Sequence, residues 1–256
     1  MKRIHFASLI ILLVAVFTFS SCLDSDSESN WDYAGYMTVD NLMGTYILKP
    51  DFSSYTFIPS NPDKLQFVDK ENNPTGEYLK RGFIVIKFAE EEVFPQEGKE
   101  RYNVNIVSVE RALNVKEMKK PELVEESNPL YQLGGKNQFW ADNGYVNVSF
   151  YPTYEQGKAD ELDINDFDLF LDKVSDDNKT LFLRFNHSIA KVEKPINHPY
   201  LELTSFKLPS RGQIQNEFPD LEFFGSKNDS VRVKVTALGP NERELESPEF
   251  NIKLIY

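Results

Sequence analysis

The second half of the chain alternates. In Tyr145–Tyr151, Val146, Val148 and Phe150 share a side while Asn147 and Ser149 oppose them. Val231, Val233 and Val235 alternate with Arg232, Lys234 and Thr236, and the last run sets Phe250, Ile252, Leu254 and Tyr256 on one face. One apolar and one polar face per strand predicts antiparallel sheets packed on a single core. About six such strands with turns between them predict a β-sandwich. Asp166–Lys173 and Thr180–Asn186 flank the turn-rich Asp176-Asp177-Asn178 and are expected to form a hairpin. The expected register opposes Phe167 to Phe185, Leu169 to Leu183 and Leu171 to Leu181 on the core face. It sets Asp168 against Arg184 and Phe170 against Phe182 on the other face, leaving Phe170 and Phe182 as a candidate contact patch.

The first half is more broken. Tyr36–Asp40, Thr45–Lys49, Tyr55–Pro59 and Leu65–Asp69 read as strands, rich in aromatic and β-branched residues and divided by Gly, Pro, Asp and Ser. Arg81–Glu90 holds an almost continuous apolar run, as a strand buried on both faces would. In Arg101–Leu113, Tyr102, Val104 and Ile106 share one parity, but Val107 and Val109 continue on the other. That slip predicts a β-bulge near Ile106–Val107, a device that helps small barrels curl. Asn114–Leu133 breaks the pattern with Lys119-Lys120-Pro121 and Glu125-Glu126-Ser127-Asn128-Pro129, and reads as a linker with one helical turn around Val115–Lys119. The expected division is 35–113 for a small barrel, 114–133 for the linker and 134–256 for the sandwich.

Before the first strand the pattern changes character. Lys2 and Arg3 precede an apolar core, unbroken from Leu9 to Phe17, that ends in Phe19-Ser20-Ser21-Cys22 and an acidic, serine-rich tether, with residues 22–34 leading into the barrel. The apolar stretch is shorter than the roughly 20 residues a membrane-spanning helix needs and has the layout of an export signal. Cys22 is the only cysteine, so it has no disulfide partner within the chain. The stretch resembles a bacterial lipoprotein signal, with residues 1–21 removed and Cys22 lipidated. Removing 21 of 256 residues leaves 235, and since Lys2 and Arg3 leave with no acid, the net charge moves from −12 to −14. So acidic a chain repels phosphate backbones and anionic headgroups. Membrane attachment is therefore assigned to lipid, and no nucleic-acid partner is expected.

Several segments together resemble the NigD-like lipoproteins of Bacteroidetes. In the first half these are Tyr36-Met37-Thr38-Val39, Gly44-Thr45-Tyr46-Ile47-Leu48, Gly76 followed by Arg81–Phe88, and Tyr102–Val109. In the second they are Gly144–Phe150, Leu181–His187 and Ser205-Phe206-Lys207-Leu208. The resemblance implies an all-β chain, an N-terminal OB-like barrel followed by a C-terminal β-sandwich. It also implies an outer-membrane address facing outward, and no established activity or cofactor. Cys22 would carry three acyl chains; at about 0.8 kcal/mol per buried CH2, these give on the order of 30 kcal/mol. Asp229-Ser230-Val231 resembles the short O-glycosylation acceptor of exported proteins in that phylum, with Ser230 as the acceptor.

The candidate chemistry is sparse. OB barrels bind single strands through basic grooves and stacking aromatics, whereas this barrel carries Glu90-Glu91-Glu92. The acidic run within 160–168 invites a calcium reading. Counted from Asp163, however, the sixth position is Asp168 instead of glycine and the twelfth is Val174 instead of glutamate. His5 leaves with the signal, and His187 and His198 have no zinc spacing; both read as structural or surface groups. With no phosphate loop, H-E-x-x-H or G-x-S-x-G, no catalytic or metal residue is assigned, and a hydrolase built on a carboxylate pair would carry no sequence mark. The expectation is a lipid-anchored binding or accessory module without catalysis, whose partner is a protein or glycan. Its rivals are a glycan-binding uptake lipoprotein and a fimbrial subunit that exchanges a strand.

Overall fold

The computed structural model describes residues 30–68, 74–120, 127–156, 166–189 and 192–254. Cys22, its tether and most of the 160–168 acidic run lie outside these residues. Almost all regular structure among them is β, with one short α-helix.

The first half is a closed barrel. β1 (Tyr33–Leu42), β2 (Thr45–Pro50) and β3 (Thr56–Pro59) meander, and a separate hairpin of β4 (Gln66–Val68) and β5 (Pro74–Tyr78) follows. β6 (Arg81–Phe88) and β7 (Arg101–Ala112) then close the barrel in the order β1-β2-β3-β7-β6. β3 and β7 pair in parallel, so the Greek-key path is that of an OB-like barrel. Met37, Leu48, Phe57, Ile84, Ile86, Tyr102, Val104 and Ile106 fill the inside. The bulge expected near Val107 is present: Val85 faces Ser108 and Ile86 faces Ile106, skipping Val107. A second skip lies at Glu110, where a Cβ on Gly82 would sit 2.7 Å from the Arg111 carbonyl. Glycine is what lets the two strands approach there.

The second half is two sheets over one core. β8 (Val115–Glu117), β9 (Gln132–Leu133), β10 (Phe139–Asp142), β11 (Tyr145–Tyr151) and β16 (Glu202–Lys207) form the first sheet, while β12 (Thr153–Glu155) and β15 (Pro195–Asn197) make a small ladder. β13 (Phe167–Val174), β14 (Thr180–His187), β17 (Ser230–Leu238), β18 (Glu244–Glu246) and β19 (Phe250–Lys253) form the second. Val146, Val148, Phe150 and Phe206 of the first sheet pack with Leu169, Leu183, Phe185, Val233 and Ile252 of the second. Two ladders, β8–β16 and β14–β17, are parallel. β19 pairs with β17 of its own chain. The helix α1 (Arg211–Glu217) starts at Ser210, whose hydroxyl accepts from Gln213 N while the Gln213 side chain returns to Ser210 N. That capping box is written in the sequence as Ser210-x-x-Gln213.

Two expectations are corrected. Val115–Glu117, expected as a helical turn, is a strand, and Leu130 and Leu133 belong to the sandwich core, so these parts of the presumed linker are built into the second domain. The cause is charge pairing at long range: Lys116 and Lys119 both reach the buried Asp168 carboxylate, at 2.5 and 2.8 Å. The β13–β14 register is displaced by two residues, with Leu169 opposite Phe185 and Leu171 opposite Leu183, then a bulge at Asp172. The turn decides this. Ser175 Oγ accepts from Lys179 N and Thr180 N, and Asn178 takes φ 59°, which fixes a five-residue loop.

Candidate functional site

The most heavily built polar site lies where barrel meets sandwich. Arg81 heads β6 opposite Thr38 of β1, on the outside of the barrel, and its side chain is wholly buried. Its five N–H donors are all used. Nη1 donates to Thr38 Oγ1 at 2.5 Å and Asp51 Oδ1 at 3.2 Å, and Nη2 to Asp51 Oδ2 at 2.5 Å and Asn147 Oδ1 at 3.2 Å. Nε donates to Ser205 Oγ at 3.3 Å, and the Tyr145 ring lies 5.0 Å from the guanidinium. Asp51 is saturated too, taking Trp140 Nε1 at 2.8 Å and Asn143 Nδ2 at 3.2 Å as well. Burial pushes the Tyr145 phenol up, with Arg81 pulling the other way. A guanidinium and carboxylate with every valence engaged have no capacity left for a reacting group. Their chemistry is to join two domains.

This joint lies on the outside of the barrel, at Thr38 of β1, Arg81 of β6 and the residues that end β2. The β10–β11 hairpin sits there: Asn143 Nδ2 donates to the Lys49 and Pro50 carbonyls, both at 3.3 Å. Asp142 Oδ2 accepts from Phe52 N at 2.5 Å.

An aromatic ledge crowns the joint. Phe52 is 77% exposed, yet its backbone is held at φ 60°. A bulky residue in the left-handed region is an outlier, whereas asparagine is tolerated there. The chain follows that preference at Asn143, Asn178, Asn228 and Asn241 and departs from it with an exposed apolar residue only at Met43 and Phe52 among the described residues. Met43 is the tip of the β1–β2 turn. Phe52 has a neighbour across the domain boundary, its ring centroid 6.4 Å from that of Trp140. Trp140 lies 5.4 Å from Tyr36, which packs edge-on against Phe83 at 5.2 Å. Both domains therefore supply the ledge, and Asp142 holds the backbone N–H of Phe52.

The residues expected from sequence lie elsewhere. Phe170 is 2% exposed. Lys119 bridges alongside it, with Lys119 N donating to Leu169 O at 2.9 Å and Leu171 N to Lys119 O at 3.0 Å. Phe170 faces Arg184 across the hairpin, and Phe182 faces Lys173, so the two rings are not opposed. The Phe170–Phe182 contact patch is thus corrected: Phe170 is buried, with Lys119, which follows β8, bridged alongside it. Ser230 heads β17 half-buried, its hydroxyl 3.2 Å from the Asp229 carboxylate. His187 is buried against Phe167, ring centroids 4.3 Å apart. Asn128 Nδ2 lies 3.1 Å from its Nδ1, so Nδ1 accepts and Nε2 carries the proton; Nε2 has no partner among the described residues. Burial pushes this imidazole down to about 4. His198 is on the surface ladder, half-buried between Tyr154 and Tyr200. Among the described residues no three of His, Cys, Asp and Glu are placed to hold a metal ion, and no helix is long and apolar enough to cross a membrane.

No family model and no curated protein matches the chain. Among solved structures it is similar to a candidate lipoprotein from Bacteroides fragilis, at 12% identity over 87% of this chain and 98% of that one, TM-score 0.46. It is also similar to an uncharacterized protein from Parabacteroides merdae (12% identity, 88% and 100% covered, TM-score 0.49). A NigD-like immunity protein from Bacteroides caccae is a third (14% identity, 85% and 96% covered, TM-score 0.42).

Proposed function

We propose that this protein is a lipid-anchored binding module of the outer membrane, facing outward, without catalysis, and that it meets its partner through the Phe52–Trp140 ledge. The observation that carries the reading is Phe52: an exposed ring held at φ 60° across a domain boundary, where both water and backbone favour a small polar residue. Strain kept at an exposed position points to use. The anchor reading rests on Cys22 and the signal before it, and is in keeping with the lipoprotein description of one structural relative. Saturation of the Arg81–Asp51 pair supports a binding role over catalysis. Pairing of β19 inside its own sheet weighs against a strand-exchanging assembly subunit.

Two substitutions test the two parts. Cys22→Ala is expected to yield an exported protein that no longer fractionates with membranes; firm membrane association in high salt would reject the lipid anchor. Phe52→Asn places a residue suited to φ 60° at the ledge. It is expected to leave stability unchanged or raise it by about 0.5–1 kcal/mol while abolishing partner capture. A loss above about 1 kcal/mol would instead make the ring a packing group.

A further inference from the structure

We propose a second binding site, for a neutral carbohydrate, on the surface ladder beyond the ledge. Its elements are three rings in a row and an ion pair at their foot. Tyr154 of β12, His198 and Tyr200 lie with centroids 5.8 and 5.7 Å apart, each pair edge to face. Tyr200 is 71% exposed. Beside them Arg111, from the end of β7 in the barrel, donates to Glu202 Oε2 of the sandwich at 2.9 Å.

The chemistry is that of a sugar site. A pyranose has an apolar C–H face and a rim of hydroxyls that both donate and accept. An exposed tyrosine supplies a ring for the first, with a polar tip that stays in water. The rim needs acceptors beside donors, which the pair provides. Glu202 offers about four lone-pair sites, of which Arg111 takes one, and Arg111 brings five N–H groups, of which Glu202 takes one. The His198 ring adds a polar edge, its Nδ1 3.2 Å from the Tyr200 carbonyl and 3.8 Å from Glu202 Oε1. Net charge selects among sugars: the chain is strongly acidic, so an anionic glycan would approach against repulsion and a neutral one would not. The ligand also bridges domains, because Arg111 and Glu202 come from different ones.

Native gels cast with laminarin, xylan, yeast mannan or soluble starch, with polygalacturonate as the anionic comparator, test this on the full exported chain. The expected result is retardation in at least one neutral gel and none in polygalacturonate. Tyr200→Ala and Glu202→Gln should each weaken binding about tenfold or more, a change of one decade per about 1.4 kcal/mol, while Tyr200→Phe keeps most of it. Phe52→Asn should bind as the parent does, so the ledge reading and this one fail separately. No retardation in any neutral gel, retardation unchanged by Tyr200→Ala, or capture of a proline-rich peptide by the same rings in place of glycan would overturn the proposal.

Discussion

Arg81→Ala should lower stability by about 3–5 kcal/mol, because it leaves the Asp51 carboxylate buried without its cation. In a chain of this size that is on the order of 10 °C in Tm. The geometry makes the loss larger than that of a surface ion pair. The Arg81 side chain is fully buried and that of Asp51 nearly so, and removing the guanidinium breaks bonds to Thr38, Asn147 and Ser205 together. Asp51→Asn should cost a comparable amount, since it leaves the Arg81 guanidinium buried without its anion and turns an amide NH2 toward donors that both carboxylate oxygens now accept from. The combined Arg81→Met, Asp51→Leu replacement should cost less than the two single losses added, because the pair fails as a unit. Calorimetry is the informative readout. The parent should unfold in one transition, and Arg81→Ala in two, as barrel and sandwich lose their joint. A single transition in the variant, shifted by less than about 1 kcal/mol, would contradict this role.

His187 supplies the second large effect, and it is a pH effect. Burial holds its folded-state pKa down to about 4, against about 6.5 for an unhindered imidazole. In that window the unfolded chain takes up a proton that the folded chain refuses. Stability is therefore complete above pH 6.5 and is lost as pH falls toward 4, by up to about 3 kcal/mol at 1.36 kcal/mol per pKa unit. Asp168 acts lower. Its desolvation raises the pKa, but Lys116, Lys119 and Ser188 outweigh it and hold the carboxyl below its ordinary value. Its contribution is present above the ordinary carboxylate pKa and disappears only in stronger acid. Denaturant melts between pH 7 and 4.5 separate the two. His187→Gln, which stays neutral and can still accept from Asn128, should flatten the slope in that range. An unchanged slope would show that His187 does not carry it.

Much of the fold was legible from periodicity because periodicity reports which face is buried. The parity slip at Val107 marked a bulge, and the run through Phe83–Phe88 marked a strand covered on both faces. Ile84 and Ile86 line the barrel while Arg81 and Phe83 turn toward the sandwich. The β13–β14 register was not legible, since sliding by two residues keeps every side chain on its face; only the Ser175 turn chemistry distinguishes the two pairings. The joint was hidden for a different reason. Asp51 follows β2, Asn147 and Ser205 lie in the other domain, and no local window contains them with Arg81. Lys116 and Lys119 read as linker charges for the same reason, their partner Asp168 lying about fifty residues on. Phe52 gave no signal either, because Asp51-Phe52-Ser53-Ser54 reads as an ordinary loop until φ and exposure are known together.

A photo-activated crosslinking side chain placed at position 52 of the acylated protein in cells tests whether the partner is met through the ledge, with the same group at Val93 as the control. Val93 is likewise exposed but lies in the β6–β7 loop, away from the joint. A discrete adduct is expected from position 52 that is absent from position 93 and is lost in the Arg81→Ala background. The same adducts from both positions, or none from position 52 with the protein anchored and folded, would contradict contact through the ledge.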